Sequence, residues 1–395
     1  MTQCEVIIAG GGIAGLALAA SLGQLGVEVA LLDGAAAPEA PTAPQDITGW
    51  DQRVSALTPT SQAMLERLGA WPHMLSARVA PYCRMQVWDR NGTGEITFDA
   101  DEVGVPQLGH IVENRVTVAA LLEAIKPMRS VSLHWGCRVD AIDDSASPVS
   151  ITTSTGETLC AAVLVGADGA RSAVRAKLAM PTRQWPYQQH AIVATVALAG
   201  PHDACCYQAF LPTGPLALLP LADSALCSIV WSLDDPIWEP LMAADEATFL
   251  RELNRALSHC VPEVVDVAGR AAFPLHQCHA IDYVRPRVAL VADAAHSIHP
   301  LAGQGINLGL KDVAVLATEL ERALNRGLDL GAISTLKRYP RQRKADNLAL
   351  MAAMEGFKRG FGTREPLIHV LRNVGLDWVN RSSPLKRWFI RQALG

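Results

Sequence analysis

No Cys-x-x-Cys pair occurs among the nine cysteines of this 395-residue chain. Their scatter gives no zinc-like spacing, and an odd count without a secretory signal fits reduced thiols in a cytoplasmic protein. The adjacent Cys205 and Cys206 read as two small apolar residues in a strand. Half of the residues are hydrophobic, yet no apolar run reaches the roughly 18 residues that a membrane-crossing helix needs. Positive charge is not in excess either: the net charge of −5 gives no general reason to expect nucleic-acid binding. The apolar run Ile7 to Leu22 lacks a basic segment before it and has Glu5 at its start. It therefore reads as part of the fold rather than as a secretory leader. Internal repeats and long low-complexity tracts are missing, apart from a loop rich in Ala and Pro at 34–44.

What is present is a set of three glycine-bearing corners. At the first, the apolar run Val6 to Ala9 enters Gly10-Gly11-Gly12-Ile13-Ala14-Gly15, and Leu16 to Leu25 reads as a helix. This is G-x-G-x-x-G between a strand and a helix, where Gly10, Gly12 and Gly15 permit a tight turn, close approach of a pyrophosphate, and close helix–strand packing. A second strand, Val27 to Leu32, ends at Asp33, whose carboxylate is positioned to accept hydrogen bonds from an adenosine ribose. An acid there suits FAD or NAD better than NADP, whose 2′-phosphate it would repel. At the second corner, Leu164 to Ala167 leads into Asp168-Gly169 and a helix bearing Arg171 and Arg175. Asp168 reads either as a helix cap or as a second contact region for a long cofactor or its reductant. The third corner is Asp293, closing the apolar run Val288 to Ala292. It is followed by Pro300 and Gly303-Gln304-Gly305, with helical pattern resuming at about Ile306. An acid at a strand end can hold a ligand hydroxyl, and the glycines let a helix N-terminus approach a flat, electron-rich ligand.

In order and spacing, these corners resemble the three fingerprints of the class A flavoprotein aromatic hydroxylases, over about 310 residues. Asp51-Gln52-Arg53-Val54-Ser55-Ala56-Leu57, Leu68-Gly69-Ala70-Trp71, Gly109 to Arg115, His299 to Gly309 and Leu336 to Tyr339 are similar to the ubiquinone-biosynthesis hydroxylase branch of that family. Val87-Trp88-Asp89 and Phe98-Asp99-Ala100 look closest to members that hydroxylate a polyprenylphenol ring at C5 or C6. One position departs: the family has Gly-Asp at the third fingerprint, and here it is Ala292-Asp293. Alanine is expected to need a negative φ and slightly more room.

The resemblance implies an α/β fold. A Rossmann-like FAD-binding domain like that of p-hydroxybenzoate hydroxylase would span 1–75, 110–181 and 285–335. An inserted antiparallel substrate sheet would span 76–109 and 182–284, with a C-terminal helical region at 336–395. It implies an FAD-dependent monooxygenase of ubiquinone biosynthesis that hydroxylates the ring of a polyprenylated phenol. NAD(P)H would be a transient co-substrate and O₂ would react through a C4a-hydroperoxyflavin. No second G-x-G-x-x-G exists for the reductant, so its binding is expected on the FAD domain.

By the same resemblance, Gly10, Gly12 and Gly15 lie at the FAD pyrophosphate and Asp33 at the ribose. Arg53 and Arg115 run along the FAD, and Asp293 meets its ribityl or pyrophosphate region. Pro300 and the backbone of Gly303, Gln304, Gly305, Ile306 and Asn307 line the isoalloxazine ring, where a helix N-terminus stabilises negative charge. Arg171 and Arg175 read as surface ion pairs. His296 and His299 flank the ring segment and read as mainly structural, with a proton relay as the alternative. No residue stands out as a general base. The substrate pocket is expected near Gln208 to Leu221 and Phe273 to Leu275. A flavin-dependent reductase of an isoprenoid, or a non-catalytic flavin-binding member of a biosynthetic complex, are the other readings.

Charge is uneven along the chain. Lys337 to Gly395 holds 13 basic and 4 acidic residues, net +9, leaving −14 for the rest. Near its end Leu385, Trp388 and Phe389 share one helical face, with Lys386, Arg387 and Arg391 on the others. Such a segment suits peripheral contact with the inner face of an anionic membrane or with a biosynthetic complex. An ordinary basic helix packed on its domain is the equal alternative.

Overall fold

The apolar run before the first glycine corner forms strand β1 (Thr2–Ala9), and Gly12 caps helix α1 (Ile13–Gly23), which leads to β2 (Val29–Asp33). The computed structural model describes residues 2–258, 260–297, 305–362 and 383–394. After β2 come β3 (Val54–Leu57), α2 (Pro59–Arg67), α3 (Trp71–Ala77), β4 (Ala80–Tyr82), β5 (Arg84–Asp89), β6 (Glu95–Asp99), β7 (Gly109–Glu113) and α4 (Asn114–Ile125). The chain continues through β8 (Val131–Trp135), β9 (Val139–Asp143), β10 (Val149–Thr153), β11 (Thr158–Gly166) and α5 (Ala173–Lys177). Four strands follow, β12 (Thr182–Leu198), β13 (Cys205–Leu211), β14 (Gly214–Pro220) and β15 (Leu226–Asp234), then α6 (Trp238–Ala243), α7 (Glu246–Leu257) and β16 (Val264–Ala280). Last come β17 (Val284–Arg285), β18 (Val288–Leu290), β19 (His296–Ser297), α8 (Gly305–Leu324), α9 (Ile333–Leu336), α10 (Arg338–Gly362) and α11 (Ser383–Leu394).

Two eight-stranded sheets organise these elements. In the first, β18, β11, β1, β2 and β8 run parallel in that order. Parallel strands covered on both faces read as unbroken apolar runs. Val6, Ile7, Ile8 and Ala9 are accordingly all buried, as are Val288, Ala289 and Leu290. Helix α1 is buried nearly all round, from Ile13 to Leu22, because it sits between the sheet, α4 and α8. Its small residues allow that close approach.

The second sheet runs β19-β16-β12-β15-β14-β13-β5-β6. It is antiparallel except where β13 and β5 pair in parallel. Successive side chains alternate between its faces. On one face Cys205, Tyr207, Ala209, Leu216, Leu218, Cys227, Ile229 and Trp231 form a continuous core with Phe249 and Leu253 of α7. That helix brings a one-sided apolar stripe and is capped by Asp245, which accepts from the Thr248 N–H at 2.7 Å. On the other face, Cys206, Leu219 and Leu221 pack against Ala80 and Ile111. Those two belong to a small third sheet, β3-β7-β4, that joins the two large ones.

A C-terminal helical region was expected at 336–395, and there α10 and α11 are helical. Helix α11 is anchored by Ile390, packed near Ala100 and Leu108, and by Lys386 Nζ, 2.5 Å from Glu102 Oε1. Trp388, Arg387 and Arg391 are exposed. The side chains of Leu385 and Phe389 lie outside the described residues. Among the described residues, no helix is long and apolar enough to cross a membrane.

Candidate cofactor and substrate site

The three corners meet because their strands are neighbours. Ala9 of β1 lies opposite Gly166 of β11, and Gly166 opposite Leu290 of β18, all in parallel. Each strand thus delivers its turn to the same carboxyl-terminal edge, where open α/β sheets bind ligands. Main-chain bonds hold the alignment. The Ala167 N–H donates to the Ala9 carbonyl at 2.7 Å, and the Val291 N–H to the Gly166 carbonyl at 3.0 Å.

At the first corner, hydrogen is the largest substituent two of the glycines can carry. A Cβ on Gly10 would lie 2.3 Å from the Ala167 carbonyl oxygen, and one on Gly15 only 1.9 Å from the Gly10 carbonyl oxygen. Gly12 differs, since nothing lies within 4 Å of the place its Cβ would take. It faces open space at the amino end of α1, whose first turn has neither a side-chain cap nor an acidic residue. The leading N–H groups of α1 are therefore available to an anion. Asp33, half-buried at the end of β2, accepts from the Gly11 N–H at 2.6 Å and the Ala35 N–H at 2.7 Å. Beside it on β8, Trp135 packs on Gly11, where a Cβ would meet the indole at 2.6 Å. Sequence reading did not single out Trp135; strand adjacency alone brings it there.

At the second corner, Asp168 Oδ2 accepts from the Val174 N–H at 3.1 Å, so it does support the start of α5. Its other oxygen, Oδ1, is buried without a hydrogen-bond partner, which leaves acceptor capacity for a bound group. Arg171 is exposed. Arg175 corrects the expectation of a surface ion pair. It is buried, and its guanidinium donates to the Ala294 carbonyl at 2.7 Å and the Ala170 carbonyl at 2.6 Å. It cross-links the second corner to the third, and only the tertiary adjacency of β11 and β18 gives it Ala294 as a partner.

The third corner turns at Ala292, which has a φ of +53°. The expectation of a negative φ is thereby overturned. The strand β18 stops at Leu290, two residues short of the expected Ala292, because the chain enters a left-handed turn there. Room for the methyl comes from Gly309 of α8, since a Cβ on Gly309 would lie 2.7 Å from that of Ala292. Asp293 is reachable by solvent, yet surrounding protein desolvates it enough to raise its carboxyl pKa, against the opposing fields of His296 and Arg53. Asp293 is thus open to a ligand while packed closely by protein.

Beside this corner is a buried polar cluster. Asp312 of α8 binds His296 Nε2, Arg343 Nε at 3.0 Å, Asn347 Nδ2 at 3.2 Å and the Ala292 N–H at 3.3 Å. Burial works to raise its carboxyl pKa, but the charges of His296 and Arg343 and these bonds prevail and hold it low. His296 is thus a clamp between the corner and helices α8 and α10. Asn347 also reaches the Tyr283 hydroxyl at 3.4 Å, which lies 3.1 Å from His279 Nε2.

The remaining expected residues divide. Arg53 is exposed and carries its charge toward Asp293. Arg115 spends its guanidinium on Glu113, with Nη2 at 2.9 Å, and on the Gly49 carbonyl. Glu113 is buried and also accepts from Arg78 and from the Asp51 N–H at 2.7 Å. Asn307 turns its side chain away from the corner: Oδ1 accepts from the Thr58 N–H at 3.1 Å and the Ser61 hydroxyl at 2.7 Å, and Nδ2 donates to the Ala56 carbonyl at 2.7 Å. Gly305 opens α8 with space around it, and Ile306 is half-buried. His299, Pro300, Gly303 and Gln304 lie outside the described residues.

A glycine cradle without a Cβ, an uncapped helix N-terminus, an acid at the next strand end and an unpartnered Asp168 oxygen fit a dinucleotide spanning the three corners. Among the described residues, no cluster of His, Cys, Asp and Glu could hold a metal ion.

Comparison with known proteins agrees. A family model described as "FAD binding domain" matches residues 3–352. The chain is 37% identical to "Ubiquinone biosynthesis monooxygenase COQ6, mitochondrial" of Xenopus tropicalis, covering 97% of this chain and 91% of that protein. It is 35% identical to "3-demethoxyubiquinol 3-hydroxylase" of Escherichia coli (strain K12), covering 99% of this chain and 98% of that one. Among solved structures, p-nitrophenol 4-monooxygenase PnpA from Pseudomonas putida DLL-E4 superposes with a TM-score of 0.82 at 21% identity, over 100% of this chain and 99% of that chain.

Proposed function

We propose, from the premise that this chain belongs to the FAD-binding family of the ubiquinone-biosynthesis hydroxylases, that it hydroxylates the aromatic ring of a polyprenylated phenol. The convergence of three corners on one sheet edge is the observation that carries this reading. Reduced by NAD(P)H and reacted with O₂, bound FAD supplies an electrophilic oxygen to an electron-rich ring. The protein's contribution is position, field and dryness. The amino end of α1 holds the pyrophosphate beside Gly12, and Asp33, fixed by Gly11 and Ala35, accepts from the ribose. Asp293 and Asp168 supply further acceptors, and Arg53 faces the cofactor's polar length. Arg115 acts through Glu113 and Gly49, holding the loop that carries Arg53. The amino end of α8, from Gly305, stabilises negative charge on the ring system. The antiparallel sheet closes over the ring and excludes water, which would otherwise divert oxygen chemistry to peroxide.

A polyprenyl tail partitions into lipid, so the substrate must be drawn from a membrane or a partner. Helix α11 suits that contact, since Ile390 and Lys386 anchor one side while Trp388, Arg387 and Arg391 are exposed. The resemblance of Val87–Asp89 and Phe98–Ala100 to members that hydroxylate at C5 or C6 favours one of those carbons. The test is a deletion strain analysed for quinone precursors, with purified enzyme supplied ¹⁸O₂. The expected result is accumulation of a precursor lacking one ring hydroxyl, and one labelled oxygen in the product. A product without label would point to an isoprenoid-directed reductase instead.

A further inference from the structure

The face of the antiparallel sheet that looks toward the cofactor lobe carries a buried amide whose oxygen has no partner. Val87, Gln208, Ala217 and Val230 lie in one cross-strand row on β5, β13, β14 and β15. Gln208 is the polar member of that row. Its direction follows from alternation along β13. Tyr207 and Ala209 enter the core beneath α7, whereas Cys206 meets Ala80 and Ile111 of the small joining sheet, and Phe210 meets Val87 and Ile96. Gln208 therefore shares the face of Cys206 and Phe210. It is 5% exposed, and its Oε1 is buried without a hydrogen-bond partner.

Its surroundings are apolar. Under α7 the sheet's apolar contacts are continuous. On the Gln208 face they split into three small clusters: Cys206 with Leu219, Val87 with Phe210, and Tyr187 with Ala191 and Leu275. Gln208 lies among them: its cross-strand neighbour Val87 belongs to the second, and Val230 of its row packs against the first and the third. Among the described residues, the other unpartnered buried atoms in this sheet are the indole nitrogens of Trp88 and Trp231, each one polar atom on a large apolar ring inside the α7 core, and the hydroxyls of Ser228 and Ser297, each a single small group. A carboxamide oxygen is a strong acceptor, and burial of Oε1 without a bond calls for a donor.

We propose that the Gln208 carboxamide recognises the phenolic hydroxyl of the aromatic substrate, with the phenol O–H donating to Oε1. The assignment rests on the hydroxylase reading above. A neutral amide orients the ring without taking its proton, which suits a site where no described side chain presents itself as a general base. Gln208 is thus a positioning residue that selects rings bearing a hydroxyl at one edge.

The probes are 2-farnesylphenol and its methyl ether in detergent, titrated into the FAD-loaded full chain and followed by the change in flavin absorbance. One hydrogen bond of this kind corresponds to roughly a tenfold preference for the phenol over the ether. In Gln208→Met that preference should fall to about one, with ether affinity within twofold of wild type. The melting temperature should not fall, because an unsatisfied amide has been removed. A second variant, Gln208→Leu, guards against a folding defect peculiar to one side chain. A structural role alone would lower the melting temperature and weaken both ligands equally. If the wild type prefers the phenol and both variants keep the preference, the Gln208 assignment is overturned and the hydroxylase reading stands. If the flavin-loaded wild type binds neither probe, both are overturned.

Discussion

The two large sheets specify their sites by different means. At the carboxyl edge of the parallel sheet the geometry is set by main chain. Backbone bonds align the turns, and Gly10 and Gly15 are defined by the absence of a Cβ. Across from it, the antiparallel sheet is set by side chains. One face is a continuous core under α7, and the other leaves a single amide, Gln208, between separate apolar clusters. The difference matches the ligands. A dinucleotide presents charge and ribose that backbone N–H groups can meet, while one phenol is told from another by the few polar groups that reach it. Cofactor binding should therefore fail through added Cβ atoms, and substrate selection through exchanged side chains.

The largest effect expected is at Gly15. In Gly15→Ala the new methyl would sit 1.9 Å from the Gly10 carbonyl oxygen, so the turn itself must move. Protein that folds should carry essentially no flavin, read as the ratio of visible to ultraviolet absorbance. Gly12→Ala sharpens the point, because the protein leaves its Cβ open space. Apoprotein of that variant should melt as wild type does, yet bind FAD at least about tenfold more weakly, the methyl taking volume needed by the pyrophosphate. Undiminished FAD affinity in Gly12→Ala would remove the cofactor from the amino end of α1.

A middle-sized effect lies at the seam between the sheets, where side chains intrude on the cofactor lobe. His279 of β16 has its pKa lowered to about 4 from 6.5, first by burial and then by the charges of Lys344, His296 and Arg183. Between those values the unfolded chain binds a proton that the folded one refuses. Stability must rise with pH across that window and be lost as pH falls from about 6.5 toward 4. Asp312 acts lower: its carboxyl is held below 3.8, so its contribution is present above that value and lost beneath it. Denaturant unfolding of His279→Gln at several pH values should show a shallower acid slope between 6.5 and 4, with the lower limb retained. An unchanged slope would transfer the effect to other groups and weaken the view of this seam as side-chain controlled.

The same division explains what the sequence disclosed. Glycine spacing and strand-end acids are local, so Gly10–Gly15, Asp33, Asp168 and Asp293 stood out as a set before any contact was known. That they converge depends on β1, β11 and β18 being neighbours in parallel, which the order of the runs suggests but does not state. Arg175 was misread because its partners, Ala170 and Ala294, come from two corners at once. The cluster of Asp312 with Arg343, Asn347 and His296 joins three elements distant in sequence and carries no local signal. Gln208 sat within the stretch expected to form the pocket, but which face it joins follows from strand register. Shifting a register by one residue exchanges every side chain between faces.

The smallest effect tests the one place where the cofactor lobe departs from its own rule. Ala292 holds a left-handed φ of +53°, which costs an alanine roughly 1–2 kcal/mol relative to its preferred region. Ala292→Gly relieves that strain. It also frees the unfolded chain by roughly 0.5–1 kcal/mol and removes a methyl packed at Gly309, so the gain should be only about 0.5 kcal/mol, measured by denaturant unfolding. The partner position makes the sign decisive. Gly309→Ala, one turn into α8, would ordinarily stabilise a helix by about 1 kcal/mol, but its methyl would sit 2.7 Å from that of Ala292 and should instead destabilise. In the Ala292→Gly background the clash is gone and Gly309→Ala should become neutral or favourable, a coupling that a double-mutant cycle reads directly. Additive effects would mean that α8 does not press on the third corner.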